Sequence, residues 1–189
     1  MRDLEKLKKN PVHTRKITMT TYSVDDDKVL VEGVLRDDRL KQAFGLTSGE
    51  TRPAGVIHDL TIRILVDGRE LRIEEVEVDL DHVPHDDCRE TQDSLRALVG
   101  RRIEPGFSMW VRNTFGGPRG CAHLNALLLA MASAAVQGLW THWASSSVSS
   151  ETVHSWVSES HYLIDTCRPW RKDGPRASKL REAFGRRTT

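Results

Sequence analysis

Apolar and polar residues alternate through the first half of the chain, and apolar residues recur every three to four positions through the second. Period two marks a strand with one face buried, and a period near 3.6 marks a helix with one side buried. The segment 56–66 (VIHDLTIRILV) is the clearest case of the first kind. It sets Val56, His58, Leu60, Ile62, Ile64 and Val66 on one face. Segment 28–35 (KVLVEGVL) predicts a second strand, and 16–22 a weaker one with Ile17 and Met19 together. Asp25-Asp26-Asp27 between them is a turn by composition. The polar stretch 37–53, with Gly45, Gly49 and Pro53, predicts a loop. Asp67-Gly68 is a hairpin signal, and 70–80 predicts the returning strand. Its apolar phase switches between Ile73 and Val76, which predicts a bulge near Glu74-Glu75.

The pattern then becomes helical. Segment 89–98 predicts a helix closed by Gly100, and 107–115 a short helix before Gly116-Gly117-Pro118. Segment 121–140 carries Leu124, Leu127, Leu128, Met131 and Ala135 at helical spacing and is apolar on most sides, so it predicts a helix that crosses the core. A serine-rich linker at 145–150 and an amphipathic helix at 152–162 follow. Strands first and helices second predict an α+β fold, with a three- to four-stranded antiparallel sheet followed by a helical half packed on it. One domain over 1–165 and a basic tail over 166–189 are expected.

The 189 residues suffice for one such domain with its own core. Lys plus Arg is 28 and Asp plus Glu is 27, a net charge of +1, which gives no global attraction to nucleic acid or to an anionic membrane. From Arg168 to Arg187 eight basic residues face only Asp173 and Glu182. That tail reads as a solvated end, and no RNA-binding motif accompanies it. Three cysteines are too few and too odd for a secreted disulfide framework. The first fifteen residues are charged from Arg2 onward and lack the apolar core of a signal peptide. The longest apolar run, 126–136, is shorter than the roughly 20 residues of a spanning helix. A cytoplasmic protein with no membrane partner is expected, and a homodimer is compatible with the composition.

Residues able to do chemistry gather at the junctions between predicted elements. His58 and Asp59 open the best strand just after Pro53-Ala54-Gly55. A histidine on an apolar face is either a satisfied core residue or a ligand, and a buried carboxylate needs a partner. Cys88 stands at the start of a predicted helix, where the dipole stabilises a thiolate; the other reading is a small packed apolar residue. Cys121 and His123 open the longest helix. Two helical positions so spaced point about 200° apart, so both reach one ion only if Cys121 lies at or before the cap. Zinc takes Cys, His and carboxylate ligands, usually four of them. Arg15, in His13-Thr14-Arg15, can grip a carboxylate or phosphate as a fork. No Walker loop, GxGxxG, GxSxG or HExxH is present, so nucleotide-dependent and serine-hydrolase chemistry lack support.

Several segments together carry a resemblance. HTR at 13–15, VEG at 31–33, PAGVIHDLTIRILVD at 53–67, LVGRRIEPGF at 98–107, GCAHLNALL at 120–128 and DTCRPWRKDGP at 165–175 resemble an uncharacterised bacterial family, catalogued as a domain of unknown function. Members usually carry a histidine after the Cys of the DTC segment, where this chain has Arg168. A looser resemblance links 53–79 to the central hairpin of iron–sulfur scaffold proteins of the NifU/IscU type. It implies a metal site at His58-Asp59, Cys88, and Cys121 with His123. Histidine stands here for the first cysteine, and the last pair reads Cys-x-His rather than His-Cys. Two thiolates among imidazole and carboxylate suit zinc, or iron in another role, better than an assembling cluster.

The leading expectation is a metal-dependent lyase or hydrolase acting on a small organic, carboxylate-bearing substrate. Asp59, Cys88, Cys121 and His123 would hold zinc or iron, His58 would be a further ligand or a general base, and Arg15 would orient the substrate's acid group. Two alternatives stand beside it. One is an iron–sulfur or sulfur-transfer scaffold. The other is a metal-free domain in which His13, His58 and His123 do acid–base work.

Overall fold

The computed structural model describes residues 3–45, 48–145, 164–165 and 167–185. Four long strands form one antiparallel sheet in the order β1-β2-β5-β6: β1 His13–Ser23, β2 Lys28–Arg39, β5 Gly55–Asp67 and β6 Arg72–His82. Two short strands, β3 Ala43–Phe44 and β4 Thr51–Arg52, pair with each other inside the stretch expected to be a loop. A run of 3-10 turns, Asp86–Leu98, follows β6; helices α1 Phe107–Phe115 and α2 Ala122–Ala144 follow that. This is the α+β order that the alternation predicts.

The differences lie at the element ends. β1 begins at His13, three residues before the alternation becomes visible, and β2 runs on to Arg39. The turn after Asp67 spans 68–71, so β6 starts at Arg72. Leu71 closes that turn in a left-handed conformation, φ 50°, and its side chain is buried. The predicted bulge is present: Leu65 pairs with Glu75 and Val66 with Ile73, so Glu74 is the extra residue. Residues 86–98 wind as 3-10 rather than α-helix. Their side chains cap the outer edge of β6, with Gln92 Nε2 donating to the Val78 carbonyl (2.6 Å) and Arg89 Nη1 to that of Leu80 (2.7 Å). The expected helix at 152–162 lies outside the described residues, as does most of the 145–150 linker. Within 166–189, the described residues include a helix, Pro175–Gly185, on which Ala177 is fully buried.

One face of the sheet carries the core. Val29, Val31 and Leu35 of β2, and Leu60, Ile62, Ile64 and Val66 of β5, are buried in the cluster that also holds Leu124, Leu127, Leu128, Met131, Ala135 and Leu139 of α2. Each such Leu or Ile contributes roughly 1.5–3 kcal/mol on burial. Two glycines let helix and sheet come close. A Cβ on Gly33 would lie 2.6 Å from Met131 Sδ, and one on Gly138 would lie 2.4 Å from Thr21. Among the described residues α2 alone is long and apolar enough to cross a membrane by length and composition, with a mean hydropathy of 1.4. Its leucine stripe is spent on the sheet.

The Gly33 contact sets the register of α2. From Gly33 to Asp37 the strand advances about 13 Å. From Met131 back to His123 the helix retreats about 12 Å. Helix and strand run in opposite directions, so the N-terminus of α2 arrives over Asp37.

Candidate functional site

Asp37 ends the inward-facing series Val29, Val31, Gly33, Leu35 of β2 and is buried like them. Across the sheet it faces Arg15 on β1 and His58 on β5, each directly opposite in the ladder. His58 likewise begins the inward series of β5. Two irregularities frame it. Ile57 is the extra residue against β2, and Asp81 the extra residue against β6. Bulges of this kind re-aim side chains and are common beside functional sites.

A buried carboxylate must be partnered, and Asp37 is partnered on both oxygens. Arg15 grips it as a fork, Nε to Oδ1 and Nη2 to Oδ2, both at 2.6 Å. His58 Nδ1 lies 3.0 Å from Oδ2, His13 Nε2 lies 3.4 Å from Oδ1, and His123 Nε2 lies 3.8 Å from Oδ2. The Arg15 hydrogen bonds hold the Asp37 carboxyl down to about 2, against the opposing effect of burial and with help from His58. Burial pushes the His58 imidazole below its ordinary value despite the pull of Asp37, so the ring is neutral at pH 7. The His58 and His123 rings lie face to face, with centroids 3.8 Å apart and a tilt of 32°.

Cys121 is the N-cap of α2, outside its first turn. Its Sγ lies 3.7 Å from Nδ1 of His123, the nitrogen on the opposite edge of the ring from the one facing Asp37. Burial pushes the thiol up, but the His123 hydrogen bond and the backbone N–H groups of Leu124 and His123 outweigh it and bring the thiol below its ordinary value.

Asp37, His58 and His123 each offer a ligand atom within 4.8 Å of the other two, a group able to hold a metal ion. Ligands 2.0–2.1 Å from a tetrahedral ion stand about 3.4 Å from each other. The observed 3.0 and 3.8 Å from Asp37 to the two imidazoles straddle that spacing.

The structure brings His13, Arg15, His58 and His123 together around Asp37. It leaves three expected ligands out of the metal-capable group: Cys121 reaches only His123 Nδ1, and Asp59 and Cys88 lie elsewhere. Asp59 neighbours His58 in sequence, and the two-residue period of a strand turns it to the other face. There it pairs with Arg36 Nη1 at 2.7 Å. Cys88 sits in the 3-10 run along β6 and is not part of the group. All three cysteines are free. Arg15, expected to orient a substrate, has two of its donors committed to Asp37. Asp37 opens the polar stretch 37–53 that predicts a loop, yet β2 runs on into it as far as Arg39. The signal that finds it is the phase of β2 carried one step past Leu35.

The family model described as "Protein of unknown function (DUF2889)" matches residues 13–137, and the chain belongs to that family. The matched span starts at His13 and takes in every residue of the cluster. No curated protein and no solved structure matches the chain.

Proposed function

We propose that the chain is a metal-dependent enzyme, a lyase or hydrolase, which holds one zinc or iron ion on Asp37, His58 and His123 and acts on a small carboxylate-bearing substrate. The observation that carries this reading is the convergence of two imidazoles and a carboxylate within 4.8 Å at the end of the core. Two histidines and one carboxylate suit zinc with an open position, or non-haem iron. An ion so held supplies a Lewis acid for a substrate oxygen or activates a water molecule. The chain's own groups divide the remaining work. Arg15 fixes Asp37 and keeps three of the five guanidinium donors for an incoming acid group. His13, half exposed beside it, is placed to carry a proton. An iron–sulfur scaffold would need thiolates at the centre, and this group presents nitrogen and oxygen with one sulfur behind it.

The test is metal analysis by mass spectrometry on protein purified anaerobically without a metal-affinity tag or chelator. About one zinc or iron per chain is expected, as for a three-ligand site with an open position, and it should be lost in His58→Ala and His123→Ala. Folded, metal-free wild-type protein refutes the reading.

A further inference from the structure

The sulfur of Cys121 has no place in the ligand group, yet it is not a bystander. His123 presents Nε2 to Asp37 Oδ2 at 3.8 Å and Nδ1 to Cys121 Sγ at 3.7 Å. The two nitrogens sit on different edges of one imidazole ring. An ion bound to Nε2 at about 2.0 Å therefore lies on the far side of the ring from the sulfur, beyond the roughly 2.3 Å of a metal–thiolate bond. A histidine that binds metal through one nitrogen donates the other N–H to an acceptor, which fixes its tautomer and its orientation. We infer that Cys121 is that acceptor: a positioning residue that takes the Nδ1–H of His123 and aims Nε2 at the ion, leaving a centre of two nitrogens and one oxygen with no sulfur bound.

Three independent features support this role. Cys121 is the N-cap of α2, so its backbone is extended while that of His123 is helical, which lets two side chains two residues apart face each other. The sulfur is partly buried against the core, so water competes poorly for the imidazole N–H. The stacked His58 ring closes the face of His123 and restricts its rotation.

The inference rests on the metal reading above, and cobalt(II) separates the two. Cobalt-loaded wild-type protein should show ligand-field bands without the intense near-ultraviolet band of a thiolate bound to cobalt. Cys121→Ala should weaken cobalt affinity on the order of 10–100-fold, the usual cost of losing such a partner. Cys121→Ser, which restores an acceptor, should recover most of that loss. A thiolate band that disappears in Cys121→Ser makes the sulfur a ligand and overturns the inference. Unchanged affinity in Cys121→Ala overturns it as well, while metal binding itself stands. Wild-type protein that takes up no cobalt refutes the metal reading and the inference together. Circular dichroism of each variant, with the helix signal intact, separates a local effect from failure to fold.

Discussion

Replacing Asp37 by asparagine keeps the shape of the buried carboxylate and removes its charge. The carboxyl titrates at about 2 in the folded chain against 3.8 ordinarily, because the Arg15 hydrogen bonds favour the charged form more than burial disfavours it. A group so perturbed stabilises the folded state by about 2.5 kcal/mol at neutral pH. The sign follows from the direction. The folded value lies below the unfolded one, so the contribution is present above pH 3.8 and is lost as the pH falls towards 2. It should drop to roughly half at pH 3 and below about 0.5 kcal/mol at pH 2. Breaking a fully buried ion pair costs more, about 3–5 kcal/mol, but Arg15 is 38% exposed and recovers water when its partner is neutral. Asp37→Asn should therefore lose about 2 kcal/mol at pH 7 and roughly half that at pH 3. Urea unfolding of both proteins in chelator at the two pH values, with equal slopes, measures this. A loss under about 0.5 kcal/mol at pH 7, or an equal loss at both pH values, would refute the account of the cluster.

Further outcomes follow from the same geometry. Burial holds the folded pKa of His58 below 6.5, so metal-free protein should lose stability as the pH falls through 6.5, and His58→Gln should remove that part of the slope. Parallel urea midpoints for the two proteins between about pH 7.5 and 5.5 would contradict it. Asp59→Asn should leave metal content unchanged, because Asp59 faces Arg36 on the opposite side of the sheet; a variant purified without metal would return Asp59 to the site. Gly138→Ala gains about 1 kcal/mol in helix propensity but drives a Cβ to 2.4 Å from the stiff Thr21 side chain. Overpacking of about 1–3 kcal/mol should prevail, with a lower thermal midpoint as the readout; a raised midpoint would show that α2 can move off the sheet.

The central strands were legible because burial on one face writes itself as period two. The same rule separates the site residues from their neighbours. His58 and Asp59 are adjacent, so a strand cannot turn both to one ion, and only His58 begins the inward series. Asp37 has the right phase but stands in a run of four charged residues, where polarity outweighs periodicity in any local reading. His13 and Arg15 are visible in the sequence as part of His13-Thr14-Arg15. Their meeting with Asp37 depends on β1 pairing with β2 from its first residue, which a seven-residue alternation starting at Lys16 does not reveal. For Cys121 and His123 the cap condition is legible in the sequence and the extended backbone at Cys121 meets it, yet the sulfur meets His123 Nδ1 and stays out of the metal-capable group.

What places the site is a matching of lengths. The buried series of β2 and β5 run out of apolar residues at Asp37 and His58, one step beyond Leu35 and Leu60. The leucine stripe of α2 runs out at Leu124, one residue after His123. Helix and strand are locked by the Gly33–Met131 contact, so the three series end together. A carboxylate there stands near the positive end of a long helix, which favours its charge, and the imidazoles are sheltered from water, His58 buried and His123 partly so. The core above supplies rigidity that a loop could not, holding the two imidazoles 3.0 and 3.8 Å from the Asp37 carboxylate. Sliding α2 by one turn would shift His123 about 5 Å along the sheet, out of reach of Asp37, so the fit of Met131 over Gly33, remote from the cluster, is also what assembles it.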